Sequence, residues 1–154
     1  MEIAIEQAHK GNESGQYPIG SVVVREGHIL AASHTTLSGS SDPTAHAELN
    51  SLRIAAALVG DRYLPGAWLY STHEPCPMCA AGAIWAKLSG IVFGTYIEDV
   101  LGGLLDARTP GPNWRQIRIH TREVASRIEY NPPLVVEGFM RDECLQVLRL
   151  DPRK

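Results

Sequence analysis

Two apolar runs, Ala67-Trp68-Leu69-Tyr70-Ser71 and Gly90-Ile91-Val92-Phe93-Gly94, flank a stretch in which Pro75 marks a helix start. A strand, a helix and a second strand joined by so short a linker return to one sheet as a parallel crossover, which is right-handed in nearly all proteins. Upstream, the run Ile19-Gly20-Ser21-Val22-Val23-Val24 and the run Ile29-Leu30-Ala31-Ala32-Ser33 are separated by the turn Arg25-Glu26-Gly27-His28, so the first two strands are predicted to be antiparallel neighbours. Residues 1–14 read as a helix that Gly15 and Pro18 end. Residues 37–41 read as a loop, and Asp42-Pro43-Thr44 is expected to open a second helix running to about residue 58, with Pro in its first turn and Asp or Thr as cap. After a turn at 60–66 and the crossover come a surface excursion over 95–113, a short helix over 122–128, a strand at 134–137 and a helix over 139–150. Phe139, Cys144, Val147 and Leu148 form the apolar stripe of that last helix. The expected fold is α/β: one domain over residues 1–154, a layered sandwich of about five strands.

Composition narrows the partners. With 154 residues, 44% apolar and 20% charged, the chain can bury a core, which excludes a disordered segment and a disulfide-stapled miniprotein. A net charge of −3 argues against a generic polyanion binder and favours a small-molecule partner. The charge is uneven: residues 1–107 hold 5 basic and 11 acidic side chains, residues 108–154 hold 9 and 6. That keeps an RNA-contacting tail open beside the simpler reading of arginines on a solvated helix face. The N-terminus lacks a basic leader and there is no run of about 18 apolar residues, so no membrane span is expected and the cytoplasm is the expected compartment. Three cysteines, two of them in Cys76-Pro77-Met78-Cys79, point to metal binding or redox chemistry in a reducing compartment.

His46-Ala47-Glu48 at one helix start and Pro75-Cys76-Pro77-Met78-Cys79 at another propose a single zinc site. Cysteines three apart in a first helical turn project from one face, and the positive end of the helix favours their thiolates. His46, Cys76 and Cys79 make three ligands, and a zinc site with three protein ligands keeps a position for water. Glu48, two residues beyond His46, would stand beside the metal without binding it. Zinc lowers the pKa of its water towards roughly 7, and a neighbouring carboxylate could carry that proton to a substrate nitrogen and a leaving amine.

The stretches Asp42-Pro43-Thr44-Ala45-His46-Ala47-Glu48 and Glu74-Pro75-Cys76-Pro77-Met78-Cys79 closely resemble the motifs of the cytidine deaminase-like superfamily. Within it the chain is most similar to the branch of bacterial guanine deaminases, cytosine deaminases and tRNA adenosine deaminases. The resemblance is strong over residues 17–94 and faint near 135–148, while 95–134 match no pattern. It implies a three-layer α/β/α sandwich with a central five-stranded mixed sheet in the order 2-1-3-4-5, one zinc per subunit held by His46, Cys76 and Cys79, Glu48 as proton shuttle, and a homodimer whose subunits help shape each pocket. The stretch before the Cys motif borders the pocket in this branch, which makes Thr72 and His73 expected wall residues. Where the family carries an asparagine that bonds the substrate, this chain reads Ser33-His34-Thr35-Thr36, and Thr35 is taken for its place. Asn50, inside the helix past Glu48, is not a replacement. The expected substrate is a small heterocyclic amine, a guanine- or cytosine-like base or nucleoside; adenosine in tRNA is the alternative.

Each feature has a plainer reading. The cysteine and histidine motifs could form a closed structural zinc site in a non-catalytic module, with Cys144 as fourth ligand, although a place on an apolar stripe suits a small core residue better. Trp85 could border the pocket, where guanine deaminases carry a similar Trp, or pack in the core. Trp114 reads as a loop anchor or a lid, Gly102-Gly103 is too short to cradle a phosphate, and His9, His28, His34 and His120 are expected to face solvent.

Overall fold

The computed structural model describes residues 1–100 and 116–150; Trp114 and Gly102-Gly103 lie outside them. Five strands, β1 (Gly20–Arg25), β2 (His28–His34), β3 (Ala67–His73), β4 (Gly90–Thr95) and β5 (Leu134–Val136), form one mixed sheet in the order β2-β1-β3-β4-β5. β1 pairs antiparallel with β2 and β3, whereas β3, β4 and β5 run parallel, as the crossover pattern requires.

Helices cover both faces. α1 (Glu2–Glu13) and α7 (Arg141–Leu148) pack on one, and α3 (Ala47–Val59) and α4 (Pro77–Trp85) on the other, with α6 (Thr121–Ser126) against α4. α1 lies so close to β1 that a Cβ on Gly20 would stand 2.0 Å from the Ala4 carbonyl oxygen. Only glycine admits that approach of two backbones. On the opposite face, Val23, Leu52, Ala55, Leu69, Ala83 and Ile91 belong to the main apolar cluster, and each large side chain buried there contributes about 1.5–3 kcal/mol. Gly82 lets α4 settle on α3, since a Cβ there would meet the Leu49 side chain at 2.6 Å. No helix among the described residues is long and apolar enough to cross a membrane.

Element bounds differ from the sequence expectation at the two places that matter for chemistry. α3 begins at Ala47, not at Pro43. Asp42 Oδ1 accepts the Thr44 N–H (2.8 Å) and hydroxyl (2.7 Å), a side-chain turn that holds these residues out of the helix. α4 begins at Pro77, whose fixed φ suits the first helical position, and not at Pro75. His46 and Cys76 are therefore the extended N-cap residues of two packed helices. Residues 37–40, expected as loop, form a short helix α2 (Leu37–Ser40), and the chain after β4 makes a single helical turn, α5 (Ile97–Asp99).

Candidate active site

The starts of α3 and α4 converge on the sheet edge where β3 ends. His46 Nδ1 lies 3.7 Å from Cys76 Sγ and 3.6 Å from Cys79 Sγ, and the two sulfurs are 3.6 Å apart. A tetrahedral zinc with Zn–S near 2.3 Å and Zn–N near 2.05 Å needs S···S and N···S edges of about 3.8 and 3.6 Å, so this triangle fits the ion. Among the described residues, His46, Cys76 and Cys79 form a candidate zinc-ligand group, and Cys144 is not part of it. Cys144 is buried behind the sheet, against Gly94, and burial pushes its thiol up to about 12. Hydrogen bonding with Cys79 and with His46 pulls the Cys76 thiol down to about 4, a ready thiolate, while the contact with Cys76 and burial hold the Cys79 thiol up.

Glu48 sits one residue inside α3 and is only 3% exposed. Its Oε2 faces Cys79 Sγ at 3.6 Å, and its Oε1 accepts the Ser71 hydroxyl at 3.2 Å. Burial raises its proton affinity above that of an ordinary carboxyl, which suits a group that must both take and give a proton.

A cavity of about 480 Å³ opens beside these groups, lined by Tyr17, Ile19, Thr35, Leu37, Pro43, His46, Glu48, His73, Glu74, Cys76 and Gln116. Thr35 and His73 are both on its wall. Thr72 is not. Side chains alternate along β3, so Ser71 and His73 face the α3/α4 side and Thr72 faces the other, where its hydroxyl accepts the Gly20 N–H at 3.1 Å. Trp85 is neither pocket wall nor core: it is 79% exposed, on the far side of α4 from Cys79, and lines a separate surface groove with Tyr63 and Tyr130. Six residues on a helix turn through about 600°, which carries it off the buried Cys79 and Ala83 face.

Several residues that shape the site carry no local signal in the sequence. Asn50 is no substitute for the missing family asparagine, yet its amide donates to the His34 carbonyl (3.0 Å), Thr36 Oγ1 (3.0 Å) and the Ala45 carbonyl (3.3 Å). It thereby ties the loop carrying Thr35 to the one carrying His46. Glu74, 2% exposed, accepts the backbone N–H groups of Thr121 (2.9 Å) and Ile97 (3.2 Å), bracing the cysteine loop. His120 faces solvent as expected and at the same time bridges Glu74 (Nδ1, 3.1 Å) and Glu98 (Nε2, 3.3 Å), and the hydrogen bond to Glu74 raises its pKa. Gln116 comes from a segment with no periodicity at all.

Residues 1–95 match the family described as the cytidine and deoxycytidylate deaminase zinc-binding region. A tRNA-specific adenosine deaminase of Agrobacterium fabrum is 32% identical over 149 residues, covering 97% of this chain and 89% of that protein. A solved structure from work on tRNA:A34 deaminases, which edit A to I at the wobble position of transfer RNA, superposes with a TM-score of 0.76 at 30% identity, covering 96% of both chains. The guanine deaminase of Bacillus subtilis is 38% identical over 82 residues, covering 53% of each protein.

Proposed function

This chain belongs to the cytidine and deoxycytidylate deaminase zinc-binding family and is a zinc-dependent hydrolytic deaminase, and from that premise we propose that its substrate is an adenosine of transfer RNA, converted to inosine. The observation that carries the substrate is the reach of the likeness: the tRNA deaminase match runs over 97% of this chain, through the basic final third, whereas the guanine deaminase match covers 53%.

The chemistry follows from the chain's own groups. His46, Cys76 and Cys79 would hold the zinc, which supplies a water of lowered pKa and offsets developing negative charge. Glu48 takes a proton from the attacking water and delivers it to the ring nitrogen beside the amino-bearing carbon. It then moves a second proton to the amine, which leaves as ammonia while the carbon becomes a carbonyl. Ser71 holds the carboxylate in register by donating to Oε1, which leaves Oε2 on the cysteine side. Oriented amides at the starts of α3 and α4 add positive potential where the thiolates and carboxylate sit. Adenosine must leave its stack to reach this recess, and a cavity of about 480 Å³ has room for a flipped base. The proposal includes one zinc per subunit and a homodimer, to be read by metal analysis and light scattering.

A second reading, a free aminopurine such as guanine, is favoured by one observation: Thr35, His73 and Gln116 give the cavity a set of neutral polar walls suited to a small base. Inosine formation in a tRNA transcript by the zinc-loaded protein, set beside ammonia release from free guanine, separates the two.

A further inference from the structure

We propose that Gln116 reads the edge of the substrate's purine ring, and that His73 is a positioning residue that sets which way the Gln116 amide faces. The inference rests on the reading above that the substrate is an aminopurine, as adenosine in tRNA or as free guanine, and names the residue through which the pocket tells one ring from another.

Proton assignments follow from one another along a buried row. Thr95 is fully buried and has one hydroxyl proton, and the Thr72 carbonyl oxygen, which can only accept, lies 3.1 Å from its Oγ1. With that proton committed, Oγ1 accepts from His73 Nδ1 at 2.8 Å. His73 therefore carries its proton on Nδ1. Burial holds the ring neutral, with a pKa lowered to about 4, so Nε2 keeps its lone pair. Gln116 Nε2 lies 3.4 Å from that nitrogen. A lone pair can be met by an amide N–H and not by an amide oxygen, which fixes the orientation of the Gln116 side chain.

Both side chains line the cavity that holds His46 and Glu48. With one N–H given to His73, the amide brings its carbonyl oxygen and second N–H to what enters. An adjacent acceptor and donor is the pair by which Asn and Gln recognise a purine edge. Thr35, with one hydroxyl, cannot present that pair. None of the three groups in the row is a candidate zinc ligand, so the reader of the ring is separable from the chemistry.

The test uses the zinc-loaded full chain and two readouts. Imidazole nitrogen NMR at pH 7 is expected to show His73 as the Nδ1–H tautomer, and Thr95→Val to release that preference. An Nε2–H tautomer in the wild-type protein overturns the orientation argument whatever the substrate. In kinetics on an adenosine-containing tRNA stem-loop, or on free guanine if that is what turns over, Gln116→Leu is expected to raise KM about tenfold. The same variant should leave kcat within about twofold and zinc content unchanged. Because His73 acts through Gln116, adding His73→Leu to Gln116→Leu should cost little more than Gln116→Leu alone. A wild-type KM in Gln116→Leu, or a His73→Leu loss that adds in full, overturns the proposal while the aminopurine reading stands. A wild-type protein silent on both substrates ends that reading and with it the assigned role of Gln116, whereas the tautomer still decides the orienting role of His73.

Discussion

The Ser71 hydroxyl donates to Oε1 of Glu48 and aims its carboxylate, with Oε2 toward Cys79 Sγ. Ser71→Ala should therefore lower kcat by up to about tenfold, the worth of one hydrogen bond of about 1 kcal/mol, with zinc content unchanged and activity restored in part by Ser71→Thr. Equal turnover in Ser71→Ala and wild type would show that packing alone aims the carboxylate. The candidate ligands make a sharper prediction. Cys76→Ser or His46→Ala should lose zinc, and Cys144→Ala should keep it, because Cys144 lies behind the sheet and outside the donor triangle. Metal analysis of the three proteins decides between an open site and a closed structural one. His46, Glu48, Cys76 and Cys79 were legible because their spacing within two short motifs is itself the chemical signal. Ser71, Asn50 and Gln116 were not, since a lone polar residue gives no sign of which neighbour the fold will bring to it.

At the scale of elements, the helix starts show where local sequence rules compete. Asp42-Pro43-Thr44 has every mark of a helix opening, but the Asp42 side chain captures the Thr44 N–H and hydroxyl and delays α3 by several residues. The delay leaves His46 at the N-cap, in extended conformation, where its ring meets two sulfurs. Strand alternation decides the pocket wall in the same way, admitting His73 and excluding Thr72. Gly20→Ala should cost at least about 3 kcal/mol, because its Cβ would clash with the α1 backbone rather than with a movable side chain. Urea denaturation reads that loss, and a near-wild-type midpoint would mean that α1 sits farther from β1. The brace between Glu74 and His120 is pH-dependent. The folded-state pKa of His120 is raised, so its stabilisation is complete below the unfolded value of about 6.5 and disappears as pH rises through the folded value. His120→Ala should thus lower the denaturation midpoint at about pH 5.5 and leave it unchanged at about pH 9. The reverse ordering would remove the charge from the brace.

The whole molecule carries a net charge of −3, with nine of its fourteen basic side chains gathered in the final third, and among the described residues three of these nine stand in ion pairs. Arg122 pairs with Glu137, Arg127 with Glu123, and Arg141 with Asp99. If these three arginines alone meet tRNA phosphates, the salt dependence should be shallow: three contacts give roughly a 40-fold loss of affinity between about 50 and 200 mM salt. A much steeper slope in a filter-binding titration would point to a basic surface beyond these paired arginines. The crossover and the antiparallel first pair were legible from the apolar runs and their punctuation, whereas the sheet order and the covering of both faces came from the resemblance to the cytidine deaminase-like superfamily. The substrate was not legible: net charge favours a small base over tRNA in the sequence reading, because charge alone cannot express a likeness to tRNA deaminases that runs over 97% of the chain. The central claim is tested most directly by incubating the zinc-loaded protein with an adenosine-bearing tRNA anticodon stem-loop and quantifying inosine and ammonia, with Glu48→Ala alongside. The account predicts one ammonia per inosine in the wild-type protein and neither product in Glu48→Ala, whose zinc content should match. Unchanged tRNA with ammonia released from free guanine, or full activity in Glu48→Ala, would contradict it.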